Sequence, residues 1–251
     1  MRKTIELNGK WTLRDLKTKE TFPATVPGSV MHDLLQSGKI KDPFYRDNED
    51  EVREISRNDY EYTRNFEVDP SFLAHDHIVL SSCGIDTIAG VVLNGQHIAS
   101  VSNMHQTHEW DIKSILKPGT NEIKVTLHSP IRYIEEKQAE RYLRGVKEAM
   151  DGYPHLRKAH YMFGWDWGPQ LPDLGIWRDI RIQAWNRARI EDVYFTQEHH
   201  ADKTVTLHAG IRWTRLGAKP EEAFILQVEI QHPDGTVQRK RSEVRDAGGG
   251  P

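Results

Sequence analysis

The 251-residue chain sets 34 Lys and Arg against 37 Asp and Glu, a net charge of −3, and is 37% hydrophobic. That balance excludes a disordered chain, and cations spread along the whole length leave no basic stripe for nucleic acid. One cysteine, Cys83, excludes an internal disulfide, and no apolar run reaches the length of a signal peptide or a membrane span. The expectation is a cytoplasmic protein with no nucleic-acid or membrane partner. At roughly 100–200 residues per domain, the length allows one large domain or two smaller ones.

In chain order, residues 29–37 (SVMHDLLQS) predict a short helix, capped by Ser29 and ended by Gly38. A strand comes next at "YEYTRNF". Residues 78–84 (IVLSSCG), 88–100 (IAGVVLNGQHIAS) and 121–129 (NEIKVTLHS) are rich in Val, Ile and Thr and read as further strands. Asn94-Gly95 between two apolar runs predicts a hairpin, because a type I′ turn needs positive φ at both central residues. Residues 131–150 hold apolar positions among many charges and predict a polar helix or an inserted excursion, weakened by Gly145. Residues 177–185 (WRDIRIQAW) predict another strand. Many short strands separated by turns point to an all-β antiparallel sandwich or jelly roll.

The texture changes near residues 186–189, where strand, polar turn and strand restart. A hairpin is predicted around Asp234-Gly235. The expected domains are therefore 1–187 and 188–251. The second holds about four candidate strands, whereas an immunoglobulin-type sandwich needs roughly seven. With "DAGGGP" at its end, it reads as the start of such a sandwich, cut short.

The segment 161–180 (YMFGWDWGPQLPDLGIWRDI) contains three of the seven tryptophans. An indole face packs against the C–H face of a pyranose, and a carboxylate beside it can accept two hydroxyl protons. Trp165, Asp166 and Trp167 on a glycine-bent loop would make such a device. They would equally make a tryptophan-rich core corner in which Asp166 caps a turn. His75, His77, His105 and His108 are weak metal-ligand candidates, and histidines scattered through a β protein carry no metal spacing. No metal or other cofactor is expected. No phosphate loop, nucleophile elbow or assignable pair of glycosidic carboxylates is present, so no catalytic residue is named.

Four blocks, occurring in order, carry a resemblance: "ATVPGSVMHDLLQSGKIKDPFYRDNE" (24–49), "GIDTIAGVVLNGQHIASVSNMH" (84–105), "LKPGTNEIKVTLHSP" (116–130) and "RKAHYMFGWDWGPQLPDLGIWRDI" (157–180). Together they resemble the N-terminal part of β-mannosidases, in the β-galactosidase/β-glucuronidase-like clan of retaining glycoside hydrolases. The resemblance covers residues 4–186 and extends loosely to 251. It implies a jelly-roll sugar-binding domain, then an immunoglobulin-like sandwich, then a (β/α)₈ barrel with two catalytic glutamates. A barrel needs roughly 250 residues, so none is expected here. The partner implied is a catalytic barrel, in cis or on a separate chain, and the ligand a β-mannoside.

Carried over by position, Asp166 would hydrogen-bond hydroxyls of the terminal mannose and Trp165 would wall its subsite. Trp167, Gly164 and Gly168 would shape the loop. The chain departs from the pattern in residues 51–59, which lack an expected tryptophan, at His160, where glutamine is usual, and in "LPDLGIW". The alternative function is a stand-alone carbohydrate-binding or assembly module without hydrolase activity.

Overall fold

The structure is a computed structural model and describes residues 2–215 and 223–244. The terminal "DAGGGP" lies outside the described residues. Contacts divide the chain into one unit spanning Lys3–Ala184 and a second beginning at Trp185.

The first unit is a two-sheet β-sandwich. Its strands are β1 (Lys3–Glu6), β2 (Gly9–Asp15), β3 (Thr21–Val26), β4 (Tyr60–Val68), β5 (His77–Ser82), β6 (Ala89–Leu93), β7 (Gln96–Val101), β8 (His108–Asp111), β9 (Gly119–Leu127), β10 (Phe163–Trp165), β11 (Gly168–Gln170) and β12 (Ile180–Trp185). Six form one sheet in the order β3-β2-β4-β9-β6-β7, and four form the other in the order β1-β12-β5-β8. β10 and β11 stand apart as a two-stranded hairpin. The helices are α1 (Val30–Gln36), α2 (Asn48–Arg53), α3 (Pro70–Leu73) and α4 (Pro130–Glu140). No helix among the described residues is long and apolar enough to cross a membrane.

The sandwich arises from a period of two. On β4, Tyr60, Tyr62, Phe66 and Val68 point inward, and on β9 Ile123, Val125 and Leu127 do the same. Tyr62 lies opposite Val125 in the β4–β9 ladder. A one-residue slip would turn every one of these side chains to water. Full burial of a large apolar side chain stabilises by about 1.5–3 kcal/mol, so the register is strongly specified. The Asn94-Gly95 turn forms as predicted, with φ of 51° and 82° joining β6 to β7.

Helix α1 also forms as predicted. Ser29 accepts the His32 N–H at 3.4 Å, and Gly38, at φ 66°, lies just past its end. The helix buries Val30, Met31 and Leu34, and with them Asp33. That carboxylate accepts the Tyr62 hydroxyl at 2.8 Å and the Thr25 N–H at 3.0 Å. Burial pushes the Asp33 carboxyl above its ordinary range, although both hydrogen bonds pull the other way.

The polar helix predicted over 131–150 is shorter than expected. α4 stops at Glu140, and Gly145 lies beyond it. The Gln138 side chain organises the loop after the helix. It binds the N–H and carbonyl of Leu143 at 3.0 Å each, Asp151 at 2.8 Å and His155 at 2.9 Å. A side chain satisfying backbone groups past the helix end makes a compact loop a stable alternative to further helical turns. Beneath α4, Ile134, Leu156 and Phe163 form a small second core.

At the start of α4, Asp59 accepts the Ser129 N–H at 2.8 Å, pairs with Arg132 and lies 3.7 Å from His128 Nδ1. Burial alone would raise its pKa. Arg132, the Ser129 N–H and His128 outweigh burial and hold it below the ordinary 3.8. A carboxyl depressed in the folded state contributes stability that is present above the unfolded value and lost as pH falls through the folded one. The melting-temperature gap between the wild type and Asp59→Asn should therefore narrow as pH drops below about 3.8. Asp33 is common to both proteins and cancels. A gap of constant width from pH 5 to 3 would refute the coupling.

Among its described residues the second unit holds two hairpins. β13 (Ala188–His199) pairs with β14 (Val205–Arg215), and β15 (Phe224–Gln231) pairs with β16 (Val237–Val244) around the Asp234-Gly235 turn. The strand pairs in both units are antiparallel, and the fold is all-β.

Candidate functional site

The β10–β11 hairpin carries the tryptophan-rich motif. Phe163 pairs with Gln170 and Trp165 with Gly168, which leaves Asp166 and Trp167 as the tip. Neither tip residue takes positive φ, so the turn is not one of the primed types that match strand twist, and the ladder is only two rungs long. So short a ladder needs support from outside.

That support comes from three sides. Phe163 is fully buried in the second core under α4. The Gln170 N–H donates to Glu49 of α2 at 2.6 Å, and Arg53 of α2 donates to the Gln170 side-chain oxygen at 3.0 Å. The third anchor lies where the chain leaves and rejoins the sandwich. Lys158, fully buried, pairs with Asp86 and donates to the Asp173 carbonyl at 2.6 Å. Asp173 accepts the Met31 N–H at 3.0 Å, and burial pushes its carboxyl up against the pull of its hydrogen bonds.

Gly164 is required as expected. Its φ is 89°, and a Cβ there would lie 2.3 Å from Gln170 Cγ. Gly168 differs: its φ is ordinary, and the nearest atom to an added Cβ is 4.0 Å away. The hairpin geometry therefore does not demand glycine at 168.

At the tip, Trp165 is 39% exposed and Trp167 80% exposed, with ring centroids 5.1 Å apart at 40°. The core-corner reading of these residues fails on that exposure. Asp166 is exposed and, among the described residues, has no hydrogen-bond or ion-pair partner, so it caps no turn. The hairpin forms one side of a cleft of about 590 Å³, with Phe44, Arg46, Glu49 and Arg53 on the other side. Sequence reasoning assigned these four no role, although "DPFYRDNE" was conspicuous as a block. Their place depends on a packing of 42–53 against 163–170 that no local pattern encodes.

The histidine candidates lie apart from this cleft. His75 Nδ1 is 2.9 Å from the Phe72 carbonyl, His105 meets the edge of Trp177, and His108 stacks on Trp110. No cluster of three metal-ligating side chains exists among the described residues. His160 packs edge-on against Tyr153, behind the hairpin.

The fold and the matched motifs together define an N-terminal portion of a glycoside hydrolase. The chain belongs to the glycosyl hydrolase 2 galactose-binding domain-like family, whose model matches residues 11–178. It is similar to the β-mannosidase of Bos taurus, 34% identical over 94% of this chain and 29% of that protein. β-Mannosidase B of Emericella nidulans is 29% identical, over 88% of this chain and 28% of the relative. The β-D-mannosidase of Dictyoglomus thermophilum superposes with a TM-score of 0.85 at 31% identity, covering 96% of this chain and 30% of its own. The chain thus spans less than a third of the length of these relatives. Exo-chitosanase CsxA of Amycolatopsis orientalis, at 18% identity and a TM-score of 0.64, shares the fold.

Proposed function

We propose that the chain is the non-catalytic N-terminal portion of a β-mannosidase and supplies one wall of its sugar site. The whole protein would remove terminal non-reducing β-D-mannose with retention. Two carboxylates about 5–5.5 Å apart, on a catalytic barrel in cis or on a separate chain, would serve as nucleophile and acid/base. The observation that carries the reading is the braced tip, where an unpartnered carboxylate stands between two exposed indoles. Asp166 would accept two sugar hydroxyls, and Trp165 would cover an apolar sugar face.

Hydrogen bonds to a charged group are worth about 1.5–3 kcal/mol, and every 1.4 kcal/mol is tenfold. In a protein that joins this chain to its barrel, Asp166→Ala should therefore lower kcat/KM on an aryl β-mannoside about 10- to 100-fold. The 251-residue chain alone should release no mannose. Unchanged kcat/KM in the variant, or mannose release by the isolated chain, would sink the proposal.

A further inference from the structure

The cleft beside the hairpin has a second free charge. Arg53 is committed to Asp50 and Gln170, and Glu49 to the Gln170 N–H. Arg46 is not committed. Its guanidinium rests over the Tyr45 ring at 5.1 Å, and among the described residues no carboxylate lies within ion-pair reach of it. Asp166 lines the same cleft and is equally unpartnered, so opposite charges face the same space without closing on each other.

The backbone holds Arg46 there at a cost. Its φ is 55°, the left-handed region that an arginine rarely adopts. The loop is tied on both sides of it. Asp42 accepts the Phe44 N–H at 2.9 Å through its side chain, and its carbonyl accepts the Asn48 side-chain amide at 2.8 Å. Residues held in strained conformations by such ties concentrate where ligands bind.

The aromatic groups also fall into two sets. Trp165 and Trp167 lie on the hairpin side, and Phe44, 78% exposed, lies on the Arg46 side. The volume of about 590 Å³ is in the range that takes drug-sized ligands of about 300–1,000 Å³, more than one hexose requires.

We propose that Arg46 is a sugar-contacting residue, and that with Phe44 it receives the second sugar unit of a β-linked mannose disaccharide or longer chain. Asp166 and the tryptophans hold the first unit. This rests on the proposed sugar site. Arg46 donates hydrogen bonds to hydroxyl or ring oxygens of the second unit, and Phe44 offers that unit an apolar face.

The test uses the 251-residue chain and follows the indole N–H signals of Trp165 and Trp167 by NMR during titration with mannose and with a β-linked mannose disaccharide. The disaccharide should bind at least about fivefold more tightly. Arg46→Gln should abolish that preference and leave mannose binding unchanged, while Asp166→Asn should weaken both sugars. Arg46→Gly separates role from folding: glycine suits the positive φ, so this variant should melt no lower than the wild type and still lose the preference. Equal affinities in the wild type, or a preference that survives in Arg46→Gln, would overturn the role of Arg46 and leave the Asp166 site standing. If neither sugar moved the indole signals, the role of Arg46 would fall, while the one-wall reading is judged separately by Asp166→Ala in the protein joined to its barrel.

Discussion

Lys158→Met should destabilise the sandwich by about 3–5 kcal/mol. The Lys158 ammonium is fully buried against Asp86, and it also donates to the Asp173 carbonyl at 2.6 Å. Methionine keeps the stem and removes the charge. Asp86 would then be left in the interior with only the Thr87 hydroxyl as a side-chain partner. Removing one member of a buried pair strands the other, and that penalty exceeds what the intact pair contributes. In a protein of this size each kcal/mol lowers the melting temperature by about 2–4 °C. Thermal melts by circular dichroism give the single-variant loss. The double variant Lys158→Met/Asp86→Asn should lose less than the two single variants combined, because it leaves no stranded charge. Simple additivity would mean that the two side chains do not act as a pair.

The pair occupies a telling position. Lys158 precedes the β10–β11 hairpin and Asp173 comes after it, so one ammonium ties the two ends of the segment that carries Trp165 and Asp166.

Where the chemistry is local, the sequence was enough. Asn94-Gly95 encodes its own turn, and Ser29 encodes the start of α1, because the groups that satisfy the backbone lie within a few residues. The Trp-Asp-Trp tip was legible as a candidate because its residue types sit side by side. The support beneath the tip was not legible. Glu49 reaches Gln170 across 121 positions, and Arg53 reaches it across 117. β1 pairs with β12, joining Thr4 to Gln183. The end of α4 at Glu140 depends on Gln138 finding Leu143, Asp151 and His155. Gly168 makes the opposite point: a glycine inside a motif invites a conformational reason, and the hairpin shows none.

Gly175→Ala should cost about 3 kcal/mol or more, for a reason unrelated to φ. A Cβ at 175 would lie 2.3 Å from the Gly28 carbonyl oxygen and 2.7 Å from Ser29 Cα. Both are backbone atoms, so no rotamer change relieves the clash. Gly28 is a tight position in its own right, since a Cβ added there would lie 2.2 Å from the Thr25 carbonyl oxygen. The returning chain would have to move instead. It is held by Gly28 N–H to Ile176 at 2.9 Å, Val30 N–H to Leu174 at 2.8 Å, and the mutual bonds of Gly175 and Asp86 at 2.8 and 3.0 Å. Overpacking alone costs about 1–3 kcal/mol, and each buried bond lost adds about 1 kcal/mol. Gly168→Ala is the matched control. Nothing lies closer than 4.0 Å to its added methyl, so its stability should stay within about 0.5 kcal/mol of the wild type. Equal melts for the two variants would mean that the backbone contact between the Val-Pro-Gly-Ser and Leu-Gly-Ile-Trp segments yields easily.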